Sequence, residues 1–120
     1  MDGKQILGMI IMCAVSFGSG ALFFGIGLWA QNKKTPMHFY AGSTIDPKRI
    51  TDIPSYNAEN ARMWKIYSLP YFATGLMEIA GSYDERLSIA AAVLLFAAGT
   101  IGIGWLVWKY KQICSRYMFP

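Results

Sequence analysis

The chain has 120 residues, 54% of them hydrophobic and only 15% charged, with a formal net charge of +4. That length is one unit rather than two domains, and the charged share lies well under the roughly 25% of an ordinary soluble domain. The basic residues gather at the ends of apolar stretches, where they serve orientation and contact with anionic lipid, so nucleic acid is not an expected partner.

Gln5 to Asn32 carries no charge and is followed directly by Lys33 and Lys34. A helix needs about 20 apolar residues to cross a bilayer, which predicts a first span over about 6–30. The run is about twice the ~7–15 residues of a signal-peptide core, so it is expected to be a retained anchor. Its glycines recur a heptad apart, Gly18 with Gly25 and Gly20 with Gly27, and Ser16/Gly20 and Ala21/Gly25 are small-xxx-small pairs. Such residues let helix backbones approach in lipid, within one chain or between copies, so a homo-oligomer through Gly/Ala faces stays open.

A connector of about 31–61 follows. Met37, His38, Phe39 and Tyr40 are unusually apolar and aromatic for an exposed loop, and the spacing places them in the headgroup layer or against the helix ends. Asp46-Pro47 reads as a cap and first residue of a short turn, and Asp52-Ile-Pro54-Ser55 as the start of a second helix well before the bilayer. Asn57 and Asn60 share a helical face that Trp64 continues. One reading is a polar pocket closed by residues 37–40. The plainer one is that the asparagines tie the loop backbone down.

The second apolar run, about 66–83, contains Pro70 and Glu78. A charge at the centre of a span costs roughly 2.5–3.5 kcal/mol on insertion scales, so hydropathy alone leaves this crossing open. Charge asymmetry requires it. Lys33 and Lys34 draw the end of the first span to the cytoplasm, and Lys109 and Lys111 do the same for a third span over about 87–108. Two consecutive spans with one orientation need a return between them. The expected topology is three helices, N-terminus outside and C-terminus inside, with Trp29, Trp64, Trp105 and Trp108 all at the cytoplasmic face. Cys13 and Cys114 then lie at opposite faces, too far apart for a disulfide.

Glu78 is the single acidic residue in a predicted span. It is read as snorkelling to the outer interface, as a bundle or oligomer contact, or as a group coupled to an ion or proton. Gly81 is the expected stop of helix two, and Ser82-Tyr-Asp-Glu85 fits a capping box for helix three, with Ser82 as cap. Helix three offers the close-approach pairs Ala98/Gly102 and Thr100/Gly104.

His38 is the sole histidine and reads as an interfacial packing residue. No Ser-His-Asp order, metal-ligand quartet, phosphate loop or carboxylate pair is present, so an enzyme, a cofactor and a metal are not expected. A lipid-directed enzyme built on His38 or Asn57 has no motif behind it. The uncharged first span departs from small multidrug-resistance transporters.

Phe24-Gly-Ile-Gly27, Lys34-Thr-Pro-Met37, Phe39, Gly42-Ser, Asp46-Pro47, Ile50-Thr-Asp52, Tyr56-Asn57, Asn60 and Met63-Trp64 together resemble a set of uncharacterised small integral membrane proteins of Gram-positive bacteria. A more distant likeness is to SdpI-like immunity proteins, which also set a short Gly/aromatic loop before an Asn/Trp-bearing helix. The resemblance implies a bacterial cytoplasmic membrane location and brings no activity with it. The expected protein is an all-α membrane protein acting as a structural or regulatory module. Its basic aromatic loop, with His38, Phe39, Tyr40, Asn57, Asn60 and Trp64, meets a protein partner or lipid headgroups. The alternative is a homo-oligomeric transporter or channel component using Glu78.

Overall fold

The computed structural model describes residues 2–38 and 45–119, and within them the chain is all-helical. Helix α1 runs over Gly3–Gln31, α2 over Ile53–Ala80 and α3 over Glu85–Tyr117, with a single 3-10 turn at Pro47–Arg49. The Cα atoms fill an envelope of 58 × 22 × 21 Å. Helices α1 and α3 are each long and apolar enough to cross a membrane. Helix α2, with Glu59, Arg62 and Lys65 in its first half and Glu78 near its end, does not reach that apolarity.

Helix α2 lies between the other two and packs along both, while α1 and α3 hardly meet. Alongside an apolar and aromatic core, the arrangement buries polar groups and turns many aliphatic side chains outward. Asn57, Asn60, Ser68, Thr74 and Glu78 of α2 and Ser16 of α1 are buried. Ile10, Leu22, Leu69, Leu76, Ile89, Phe96 and Ile101 point outward. A large outward aliphatic shell is unusual for a chain folding in water and is what lipid solvates.

Caps follow the local chemistry. Asp52 stops the chain from winding earlier, its carboxylate accepting the Ser55 N–H at 3.2 Å, with Pro54 in the first turn where a missing N–H costs nothing. Asp46 caps the 3-10 turn in the same way through Lys48 N–H. At the start of α1, Asp2 and Gln5 form a reciprocal capping box, from residues whose sequence reads only as scattered polarity. The start of α3 differs from expectation. The cap is Asp84, which accepts the Arg86 N–H at 3.0 Å, and Glu85 is already the first helical residue. The Ser82 hydroxyl instead donates back to the Ile79 carbonyl at 2.7 Å, which also accepts the Ser82 N–H at 3.1 Å. Gly81 does end α2, in a right-handed conformation (φ −64°). Glycine is needed there for closeness: a Cβ would stand 2.9 Å from the Ser88 backbone nitrogen.

The small residues of α1 separate into two sets. Ser16, Gly20 and Gly27 are buried against α2, whereas Gly18 and Gly25 face open space. A Cβ on Gly27 would lie 2.8 Å from the Ala61 carbonyl oxygen, a backbone atom that cannot turn aside. On α3, Ala98 and Gly102 take the inward role, Gly102 beneath the Tyr67 ring, while Thr100 and Gly104 look outward. The Tyr67 hydroxyl donates to the Ala98 carbonyl at 3.1 Å, a bond between helices of a kind worth about 0.6–1.7 kcal/mol in membranes. Overpacking a close contact costs typically about 1–3 kcal/mol. Gly27→Val is therefore expected to lower the thermal unfolding midpoint in detergent markedly, while Gly25→Val leaves it near wild type. Equal midpoints for the two variants would show that this contact does not hold α1 to α2.

Candidate functional site

The two ends of the molecule differ in chemistry. At the end where α1 finishes and α2 begins, the connector is held by side chains from α2. Asn57 is 1% exposed and uses both faces of its amide. Its Oδ1 accepts the Met37 N–H at 2.8 Å, and its Nδ2 donates to the Thr35 and Lys33 carbonyls at 2.8 and 3.1 Å. One turn of chain after α1 is thereby satisfied without water. The Tyr56 hydroxyl donates to the Met37 carbonyl at 3.0 Å. With that proton spent, Tyr110 of α3 is left to donate across the 2.9 Å contact between the two hydroxyls. Asn60 supports this layer from below, its Nδ2 bonded to the Tyr56 carbonyl at 2.8 Å, while its Oδ1 has no partner among the described residues.

A second set of bonds closes the layer from the other side. Ile50 and Met118 form an antiparallel bridge. The Thr51 N–H donates to the Tyr117 carbonyl at 2.7 Å, and the Phe119 N–H to the Arg49 carbonyl at 2.8 Å. The connector is thus clasped between α2 and the residues following α3. Burial pushes the Tyr56 hydroxyl up to about 12 and raises Tyr110 as well, so both stay protonated and keep donating at neutral pH. The Ser55 hydroxyl, bonded to Asp52, holds that carboxyl below its ordinary range.

The clasp leaves cations facing outward. Lys34, Lys48, Arg49, Arg62, Lys111 and Arg116 are exposed, and none of them meets a carboxylate among the described residues. Two nearby acids, Asp46 and Asp52, are occupied as caps. Lys33 sits over the Trp29 ring at 4.9 Å. All four tryptophans lie toward this end. Trp64 stacks on Phe23 at 5.8 Å, Trp105 and Trp108 line a shallow cleft with Glu59 and Arg62, and Trp29 meets His38 edge-on at 5.5 Å. His38 is half-buried in that ring contact. Phe39 and Tyr40 lie outside the described residues.

The opposite end is acidic. Glu78, Asp84 and Glu85 line a cavity of about 520 Å³ between the start of α1, the end of α2 and the turn into α3. No Lys, Arg or His lines it.

Between the two ends runs a seam of α2 that the residue spacing explains. Asn57, Asn60, Trp64, Tyr67, Tyr71, Thr74 and Glu78 are three and four residues apart in alternation and all buried, which is one face of a helix. Phe23 of α1 covers its middle, with ring centroids 4.9 Å from Tyr67 and 5.0 Å from Tyr71. The two tyrosine hydroxyls are 2.7 Å apart. Asn57, Asn60 and Trp64 are the members of this seam expected from helical spacing, with Glu78 standing apart from them. The regular 3-4 spacing through Tyr67, Tyr71 and Thr74 is the signal that joins them.

No family model, curated protein or solved structure matches this chain. The functional reading rests on the residues themselves.

Asn57→Ala removes three hydrogen bonds at once. Each buried group left unsatisfied costs about 1–3 kcal/mol, and the expected loss of stability is about 3 kcal/mol after relaxation. In detergent the variant should be cut by trypsin after Lys33 or Lys34 at least several-fold faster than wild type while circular dichroism shows its helices intact. Unchanged cleavage would mean that Asn57 does not hold the connector.

Proposed function

We propose that this protein is a three-span module of a bacterial cytoplasmic membrane, amino terminus outside and carboxyl terminus inside. Its clasped basic end is a rigid platform for anionic groups at the cytoplasmic surface. Lipid headgroups are the first occupant, and an acidic protein partner is the other source of the same chemistry. The observation that carries the reading is the set of unpaired cations around the clasp, at the end where the outward aliphatic shell stops and the tryptophans gather. Cations at that depth meet phosphate-bearing headgroups, and each contributes about 1 kcal/mol near an anionic surface.

The clasp matters to this role because it fixes the cations in place. Loose lysines lose side-chain and backbone freedom when they bind. Here the Ile50–Met118 bridge already holds Lys48 and Arg49 beside the Arg116-bearing end of α3. The crossing of α2 is supported by the outward Ile66, Leu69, Leu76 and Ile79 and by the burial of its polar seam. A regulatory or structural role suits a surface whose chemistry is positive charge and aromatic contact.

Two measurements test the reading. In a background with Cys13 and Cys114 replaced by Ser, Asp2→Cys is expected to react with a membrane-impermeant maleimide on intact cells, and Ser115→Cys only after permeabilisation. Reaction of both on intact cells would refute the odd number of crossings. Native mass spectrometry of protein released in mild detergent from mixed phosphatidylglycerol and phosphatidylethanolamine is expected to retain the anionic lipid preferentially. The combined Lys48→Gln, Arg49→Gln, Lys111→Gln, Arg116→Gln variant should lose that preference. Retention that is identical in the variant, or indifferent to lipid charge in the wild type, would remove the lipid reading.

A further inference from the structure

The cavity at the α2–α3 turn holds a group that the basic end does not explain. Glu78 is 9% exposed, yet it forms no hydrogen bond and no ion pair among the described residues. Its carboxylate lines the cavity wall. A buried charge is ordinarily paired, and a carboxylate within a membrane segment marks a site by default.

The surroundings define what would pair with it. Asp84 and Glu85 line the same space, and no cationic side chain does. Arg86 reaches Asp84 at 3.4 Å, but its side chain is 91% exposed, and an exposed pair of that length is weak and screened. The cavity therefore favours positive charge. Its size, about 520 Å³, falls in the roughly 300–1,000 Å³ range of small-molecule sites and is far larger than a bare ion requires. No three His, Cys, Asp or Glu side chains among the described residues are grouped to hold a metal. Gly8, Met9 and Met12 of α1 line the same cavity, and thioethers make a soft, adaptable apolar surface.

We propose that this cavity is a binding site for a monovalent organic cation with an apolar body. Glu78 receives the charged centre, Met9 and Met12 lie against the body, and Asp84 and Glu85 attract the ligand to the opening. The proposal is independent of how the basic end is used.

Benzyltrimethylammonium and neopentylbenzene have the same shape and differ by one charge, so the pair separates electrostatic recognition from partitioning. Binding is measured by calorimetry on the full chain in nanodiscs of neutral lipid, with empty nanodiscs as the blank. The cation is expected to bind saturably and the neutral analogue not to. Glu78→Gln keeps the shape of the side chain and should weaken binding about tenfold or more, the loss of one charge-assisted contact. Gly8→Leu is a second variant that leaves Glu78 intact. A Cβ at Gly8 meets nothing within 4 Å, so the fold tolerates the larger side chain, which then occupies the cavity and abolishes binding. The proposal is overturned by any of four results: no saturable binding of the cation to the wild type, equal saturable binding of the neutral analogue, unchanged affinity in a folded Glu78→Gln or Gly8→Leu protein, or displacement of the probe by micromolar magnesium.

Discussion

A polar group taken out of water needs a partner within the protein, and α2 buries more of them than either of its neighbours. The placement of the other helices follows from that. Helices α1 and α3 are apolar enough to stand against lipid on their own account, and they leave each other nearly untouched in order to cover α2 from two sides. At Gly27 the backbone of α1 comes up against the Ala61 carbonyl of α2, and on the other side the Ala98 carbonyl of α3 accepts the Tyr67 hydroxyl. Where a side chain is bulky, it is an aromatic ring such as Phe23 that caps a row of tyrosines. Close shape fit and hydrogen bonding join α2 to its two neighbours.

The ends of the seam finish differently because their neighbours differ. At one end the polar residues of α2 find backbone to bind: Asn57 and Tyr56 take up the chain between Lys33 and Met37, and the residues after α3 complete the layer. These bonds fasten residues 33–37 and 49–51 and leave the neighbouring cations to the outside. At the other end the seam finishes in Glu78, which has no hydrogen bond or ion pair among the described residues and lines a cavity with two further acids. One end is closed chemistry with an electrostatic exterior. The other is open chemistry with an interior.

Much of this was legible in the residue order. Uncharged runs ending in lysine pairs mark α1 and α3, the Asp-Pro and Asp-x-Pro signals mark the turn at residue 47 and the start of α2, and two asparagines at helical spacing before Trp64 point to the loop they restrain. Other features were not, for identifiable reasons. The Ser82-x-x-Glu85 pattern misplaces the start of α3 because Asp84 is the stronger cap and Ser82 has a nearer acceptor in Ile79. Helix α3 continues nine residues past Trp108, since lysines that end an apolar run do not end a helix. The Ile50–Met118 bridge joins residues far apart in sequence through backbone atoms, and no side-chain pattern announces it. The cavity beside Glu78 is likewise built by three elements together, so the sequence yields the residue and not its setting. Among the small residues of α1, spacing alone does not distinguish Gly27, which touches α2, from Gly25, which does not.

The bridge between Ile50 and Met118 also imposes an order on biogenesis. The connector joins the first two helices, but part of what fastens it is made only after the third. While the ribosome is still synthesising α3, Asn57 is able to engage residues 33–37, yet residues 49–51 have no strand partner. The connector therefore stays half-fastened until translation passes residue 119, and the segment that finishes the fold is also the one that reports that all three helices have been delivered.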